Sequence, residues 1–488
     1  MSAALPLLTL LSSVATALII FFLPDRMGMT RALINIGGAL LKLALVALLL
    51  AGVASGQVYE TRFELAPGFE FNLRVDALCL LFLTLSAFLW LLTTLYAIAY
   101  FGDAPGQSRF FGFFSLCVAA TTGVALSGNL LTFFIFYELL TLSTWPLVTH
   151  KGDRASLAAG AKYLAYTLAG GALLLGAMVG LQSLAGPIDF ARRDSLAGLD
   201  PLALTALFFV FIAGLGVKCA LFPLHGWLPS AMVAPAPVSA LLHAVAVVKA
   251  GAFGVIRLLY DVYGLELVQD LGVGLPLAAL AAFTILYGSW RALSQGDIKR
   301  RLAFSTVSQV SYIILGAALV APSATLGGLV HLVHQGMMKI TLFFCAGALA
   351  ERAKVTRVDQ LDGIGRAMPV TMLAFSIAAL GMIGAPPVAG FVSKWQLGVG
   401  GLEAGQPWVI FVLAASSLMN AAYFLPLIYR AWFLPPAADL PPRRERPLLL
   451  ILPALVTALA ALMAGLLAGM EMSPLGWSRL ILERAYGA

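Results

Sequence analysis

Apolar runs of about 20 residues recur along the whole chain, separated by short clusters of charged residues, glycine and proline. A helix needs roughly 20 apolar residues to cross a hydrocarbon core about 30 Å thick, whereas a membrane β-barrel shows segments of about ten alternating residues. The runs predict helices at about 3–23, 32–53, 76–100, 110–127, 130–148, 157–184 and 202–222. They continue at about 236–260, 273–292, 302–320, 325–350, 369–396, 407–432 and 446–470. The predicted fold class is an all-α integral membrane bundle of about 14 transmembrane helices. Two runs carry internal breakers: Pro223 with Pro229, and Pro386 with Pro387 beside Gly384 and Gly390. Proline removes a backbone donor, and broken backbone survives in a membrane only where protein buries it or it lines a hydrated cavity. One break in each half is the pattern of transporters built from inverted repeats, although the halves share no clear identity.

Composition supports this picture: 61% of the 488 residues are hydrophobic and 11% are charged, against about 25% charged in a soluble domain. The first run lacks a basic leader region and a small-residue cleavage site, so the first helix is expected to remain in the mature protein. Net charge is +7, but the basic residues are scattered through short loops, which argues against nucleic acid. With the N-terminus outside, one face collects Arg26, Arg31, Arg109, Lys151, Arg154, Arg291, Lys299, Arg300, Arg301, Arg352, Lys354, Arg357, Arg366, Arg430, Arg443, Arg444 and Arg446. The other face and the tail hold only Arg62, Arg74, Arg192, Arg193, Arg257, Arg479 and Arg484. The positive-inside rule then sets both termini outside the cytoplasm of a bacterial-type inner membrane. Cys79, Cys117, Cys219 and Cys345 lie in apolar runs with no CxxC pair and read as small hydrophobes.

Against that background the charges inside the runs stand out. Glu138 lies near mid-helix in the fifth run, Lys218 just before the first break, Lys249 inside the eighth run and Lys394 after the second break. Lys339 shares the eleventh run with His331 and His334, whose three-residue spacing sets both imidazoles on one face. On a continuous helix, His243 lies about 9 Å and about a third of a turn from Lys249. A carboxylate about 4 Å from a lysine, at an effective dielectric of 20, favours the ammonium by about 4 kcal/mol. A Glu138–Lys218 pair that opens and closes therefore moves the lysine between holding and releasing a proton. Each residue also has a structural reading. Lys249 and Lys339 can neutralise helix ends; His225, His243, His331 and His334 can serve as interhelical hydrogen-bond partners or metal ligands. Lys42 and Lys162 are expected to snorkel or to bridge to neighbours, and Ser305, Ser308, Gln309 and Tyr312 form a stripe that fits a packing seam as well as a wire. No nucleotide-binding, zinc-protease or iron–sulfur motif is present, so no cofactor or metal is expected and redox or ATP energy must come from a partner.

The stretches Gly216-Val-Lys-Cys-Ala-Leu-Phe-Pro-Leu-His-Gly-Trp-Leu-Pro229 and Ala234-Pro-Ala-Pro-Val-Ser-Ala-Leu-Leu-His-Ala-Val-Ala-Val-Val-Lys-Ala-Gly251 resemble the antiporter-like subunits shared by respiratory complex I and Mrp-type cation/proton antiporters. So do Tyr137-Glu138-Leu139, the segment 297–309, the helix from His331 to Lys339, and the segment 386–394. The resemblance covers nearly the whole chain. It implies fourteen helices with two inverted five-helix repeats and broken helices 7 and 12: residues 1–109 for helices 1–3, 110–260 and 261–433 for the repeats, and 434–488 for the last helix and tail. It implies that Glu138 and Lys218 are the coupling pair, that Lys249 and His243 continue the path, that His331, His334 and Lys339 bridge the halves, and that Lys394 gates the exit. It further implies a transport subunit that is not an enzyme by itself, lodged in the lipid bilayer among other membrane subunits and moving protons, with Na+ as an open question. The chain ends about eighteen residues past its last run, short of the long lateral helix and C-terminal extension of the largest family members, and it carries lysine at 394 where one complex I subunit has glutamate. The D-type subunit of an Mrp antiporter is the expected match, with a complex I or membrane-hydrogenase subunit as the alternative.

Overall fold

Short polar side chains at the ends of the apolar runs fix where helices begin. Asp76, Asn129, Asp153, Asp200 and Asp297 each accept a hydrogen bond from a backbone N–H in the first turn that follows, which satisfies donors a helix start leaves open. The computed structural model describes residues 4–66, 69–192, 195–436, 445 and 447–486; Arg193, Arg443, Arg444, Arg446 and the expected first residue of the first helix lie outside them.

The N-terminal helices are α1 (Leu5–Phe21), α2 (Gly28–Ala54) and α3 (Ala77–Phe101), followed by α4 (Gln107–Leu126), α5 (Leu130–Val148), α6 (Arg154–Ala185) and α7 (Pro201–Cys219). Next come α8 (Ala236–Ala244), α9 (Val247–Arg257), α10 (Gly274–Leu293), α11 (Ile298–Ala318) and α12 (Pro322–Ala353). The remainder is α13 (Pro369–Ile383), α14 (Ala389–Glu403), α15 (Trp408–Phe433), α16 (Leu448–Leu466) and α17 (Pro474–Ile481). Ten helical stretches among the described residues are long and apolar enough to span a membrane, and α1 and α13 are shorter apolar helices.

The longest central element, α12, is buried along its whole apolar window. It packs against α8 on one side and against α11, α13, α14 and α16 on the other, so its polar residues face both halves of the bundle. The stretch from α8 to Tyr263 is equally enclosed. A helix surrounded by other helices has no lipid-facing side, and its polar groups must find partners within the protein.

Both expected breaks are visible in the backbone. Helix α7 stops at Cys219, Ala220 takes a left-handed conformation with φ of 56°, and the chain runs through turns to the single helical turn Trp227–Ser230. Helix α13 stops at Ile383, Gly384 is left-handed, and α14 begins at Ala389.

Two expectations need correction. The eighth run, predicted as one helix over 236–260, is broken between Ala244 and Val247, where Val245 and Ala246 leave helical geometry, and it ends in a π-helical turn over Leu258–Tyr263. No glycine or proline marks this break. The β-branched residues Val245, Val247 and Val248 lower helix propensity there, and tertiary packing decides the rest. The ideal-helix relation between His243 and Lys249 therefore does not hold. The connection after α2 is also more than a loop: β1 (Tyr59–Ala66) pairs antiparallel with β2 (Phe69–Val75). Arg62 pairs with Glu60 and Glu70 inside this hairpin at 2.7 and 3.2 Å and ties it to the rest through Asp189 at 3.1 Å.

Candidate functional site: a buried file of ionisable side chains

Helices α5, α6, α7 and α9 build the first part of the site. Lys218, in the last turn of α7, donates from Nζ to the main-chain carbonyl of Tyr137 on α5 and lies 3.3 Å from the centroid of that residue's ring. Trp227, across the break, donates its indole N–H to the Val217 carbonyl at 2.8 Å, which also accepts from the Ala220 N–H at 3.1 Å. Glu138 leans on Gly171 of α6 so closely that a Cβ there would lie 2.5 Å from its Oε1. That oxygen is buried and makes no hydrogen bond. Glu138 lies within electrostatic reach of Lys218, yet the two side chains make no hydrogen bond or ion pair. Gly251 of α9 abuts the Lys218 backbone, where an added Cβ would come within 2.6 Å of the Cys219 nitrogen.

The middle of the site is carried by α8, α9, α11 and α12. Lys249 is fully buried and its Nζ has no hydrogen-bond partner in the protein. His243 packs against Phe343 with ring centroids 4.6 Å apart, and neither of its ring nitrogens has a protein partner. Lys339 donates to the Ser305 hydroxyl and, at 3.3 Å, to the Leu302 carbonyl, both on α11. His331 and His334 have different surroundings: the Nδ1 of His331 meets the Ser393 hydroxyl at 2.8 Å, while both nitrogens of His334 lack a protein partner. Gln335 is likewise unpartnered at both side-chain atoms. Buried polar atoms of this kind are ordinarily satisfied by ordered water, and several of them cluster here on facing helices.

The second break supplies the last part. Lys394 Nζ donates to the Met382 carbonyl at 3.2 Å, the Ile383 carbonyl at 2.7 Å and the Ser417 hydroxyl at 2.9 Å. The carbonyls are those left open where α13 stops. Asn420 and Gln309 also donate to Met382, at 3.0 and 3.5 Å. Ser308, Ser289 and Ser416 link by hydroxyl contacts of 2.9 and 3.2 Å, and Tyr423 donates to Asn420 at 2.6 Å. The α11 stripe is thus a polar network that meets the second break, as well as a helix contact.

His225 stands apart from this line, packed against Phe222 and Tyr287 beside the first break. Lys162 is exposed and bridges to Ser230 at 3.0 Å. The residues missed from sequence are Ser289, Ser393, Ser416, Ser417 and Asn420. The i, i+4 pair Ser416 and Asn420 in an apolar helix was the available signal.

Known proteins place the fold. Residues 127–420 match the family described as NADH:quinone oxidoreductase/Mrp antiporter, TM, and residues 67–111 match NADH-Ubiquinone oxidoreductase (complex I), chain 5 N-terminus. NADH-quinone oxidoreductase subunit N of Desulforudis audaxviator is 38% identical over 419 residues, covering 82% of this chain and 83% of that protein. The A/B component of a probable K(+)/H(+) antiporter of Rhizobium meliloti is 31% identical over 93% of this chain, which spans 46% of that longer protein. Among solved structures, a chain of the Mrp complex from Dietzia sp. DQ12-45-1b superposes with a TM-score of 0.86 at 24% identity, over 99% of this chain and 98% of that one. A chain of respiratory complex I from Thermus thermophilus superposes with a TM-score of 0.83 at 25% identity, over 98% and 99%. The chain belongs to the antiporter-like membrane-subunit family shared by NADH:quinone oxidoreductases and Mrp antiporters.

Proposed function

We propose that this chain is the proton-translocating membrane subunit of a multisubunit cation (Na+)/proton antiporter, in which Glu138 and Lys218 open and close as a pair and drive protons through Lys249, His243, His331, His334 and Lys339 to Lys394. The observation that carries this reading is the placement of four lysines, Lys218, Lys249, Lys339 and Lys394, inside one membrane bundle with no carboxylate in ion-pair contact among the described residues. Isolated buried charges of this kind are expensive and mark ion pathways. Lys218 has two places to go. Docked on the Tyr137 carbonyl it is away from Glu138; turned toward Glu138 it gains the Coulomb energy that holds its proton. Leaving Glu138 lowers its hold on the proton, and Lys249 is the next acceptor, on the helix whose Gly251 touches the Lys218 backbone. Ser305, Ser308 and Gln309 supply hydroxyl and amide steps toward Lys394.

In this reading α7 with the Trp227–Ser230 turn forms the seventh span and α13 with α14 the twelfth of fourteen spans. Residues 110–260 and 261–433 form inverted repeats, and both termini lie outside. Replacing Lys218 with alanine is expected to abolish ion flux in the intact assembly while assembly persists; undiminished flux would contradict the role. A second reading, a proton-pumping subunit of a redox-driven quinone oxidoreductase, is favoured by the 38% identity to an NADH-quinone oxidoreductase subunit. Co-purification separates them: flavin or iron–sulfur subunits alongside the chain favour the redox pump, small hydrophobic subunits alone favour the antiporter.

A further inference from the structure

Outside the two proposed repeats, α2 carries a second buried lysine system. Arg31, Asn35 and Lys42 fall on one face of α2, since steps of four and seven residues return to nearly the same angle. They meet Ser108, Ser115 and Thr122, set seven apart on α4: Arg31 to Ser108 at 3.0 Å, Ser115 to Asn35 at 3.4 Å and Lys42 to Thr122 at 2.6 Å. Lys42 is the fifteenth of the 27 residues of α2, so this file runs from the α1–α2 connection to mid-membrane. Beyond Lys42 the same face is closed by Val46 and Leu49. At the other end the file opens on a cavity of about 730 Å³ lined by Asp25, Arg31 and Gln107.

Lys42 does not snorkel. It is fully buried, donating to Ser13 on α1 at 2.7 Å and to Thr122 on α4, with the Trp90 ring of α3 5.0 Å away. The Ser13 hydroxyl is itself committed as donor to the Leu10 carbonyl and that of Thr122 to the Val118 carbonyl, so both must accept from the amine. An ammonium here has an acceptor for each N–H, counting the ring face. The neutral amine keeps both hydroxyl contacts and turns its lone pair free. Helices α1 and α3 present no charged side chain to Lys42, and α4 contributes only Arg109, which is exposed near its first turn. About two turns before Lys42, Asn35 is fully buried and its Nδ2 has no partner, the condition that a buried water satisfies.

We propose that Lys42 is a proton-loading site outside the repeats, fed by water through the Arg31–Asn35 file from the face that carries the α1–α2 connection. Hydronium gives its proton to the Lys42 nitrogen, whose lone pair forms the new N–H bond as the O–H bond breaks, and water is returned to the file. Cys117, between Ser115 and Thr122 on α4, contacts Ser143 and Thr144 of α5 at 3.3 Å, which links this bundle to the helix of Glu138. The inference rests on the reading of the chain as a proton conductor.

The test uses the intact assembly in vesicles. Lys42→Cys and Asn35→Cys are treated from each side with a small cationic methanethiosulfonate, with exposed Lys151→Cys marking the face; the four native cysteines are buried. Both positions are expected to react from the Lys151 face, an order of magnitude faster than from the other, and Lys42→Met is expected to slow proton flux severalfold. Unreactive positions, reaction from the opposite face, or unchanged flux in Lys42→Met overturns the proposal. If Lys42 variants fail to assemble, Asn35→Cys tests access and Thr122→Val tests flux. Unchanged flux in Lys218→Ala would defeat the relay through the repeats and leave the labelling pattern untouched, so the two failures are distinguishable.

Discussion

At the first helix break Lys218 makes one hydrogen bond, to the Tyr137 carbonyl, with the Glu138 carboxylate within electrostatic reach. At the second, Lys394 makes three, to two carbonyls and a hydroxyl, all neutral. The break itself explains the second arrangement: stopping α13 at Ile383 frees the Met382 and Ile383 carbonyls, and the lysine that follows in α14 caps them. At the first break the Val217 carbonyl accepts from Ala220 N–H and from Trp227, so Lys218 caps none of the broken backbone and has the Tyr137 carbonyl as its one partner. In the proposed relay the first lysine exchanges a neutral partner for a charged one. The other is held in place by three neutral acceptors and has no charged partner to exchange.

The largest effect follows from that difference. Lys218→Met and Glu138→Gln should each lower ion flux by about 100-fold or more, the range of a lost proton-transfer group. The double variant should be no worse than either, because a pair that works as a unit is non-additive; flux assays on reconstituted assembly check this, and additive losses would separate the two residues. Lys394→Met should lower flux too and, by leaving the Ile383 carbonyl without its donor while Asn420 and Gln309 still serve Met382, cost about 1–3 kcal/mol of stability. Thermal unfolding of the purified assembly should show a larger drop for this variant than for Lys218→Met.

A smaller effect is expected at Gly171. An added methyl would sit 2.5 Å from Glu138 Oε1, so Gly171→Ala should displace the carboxylate and reduce flux by about threefold, a cost on the order of one hydrogen bond. Gly176→Ala on the same helix meets nothing within 4 Å and should be silent. The smallest effect lies at the membrane surface. The backbone N–H of Ser108 holds the Asp25 carboxyl below the usual aspartate range. Its contribution to stability is therefore fully present above that range and lost as pH falls below it through the lowered native value, and Asp25→Asn should flatten this acid dependence in a stability–pH series.

Much of this arrangement was legible because membranes leave few options. Long apolar runs fix helices, prolines at 223, 229, 386 and 387 fix two breaks, and charges in apolar runs announce themselves. The third break, at Val245 and Ala246, was not legible, because no glycine or proline marks it. The hairpin over 59–75 hid inside a connection where tyrosine and phenylalanine alternate with charges. Partners remote in the chain were also invisible. Lys42 meets Ser13 and Thr122 from 29 and 80 residues away, and Arg257 joins Asp76 across 181 residues while also holding Asp261 at 2.6 Å. Residue type marked these groups as unusual; only the fold says which of them has a carboxylate at hand.

The central claim is that the buried amines and imidazoles hand protons to one another through water. A high-resolution density map of the intact assembly tests it most directly. The account predicts ordered waters on Lys249 Nζ, the ring nitrogens of His243 and His334, and the Gln335 amide, joined into a line from Glu138 to Lys394. A map in which those atoms sit in dry, closed packing would contradict it.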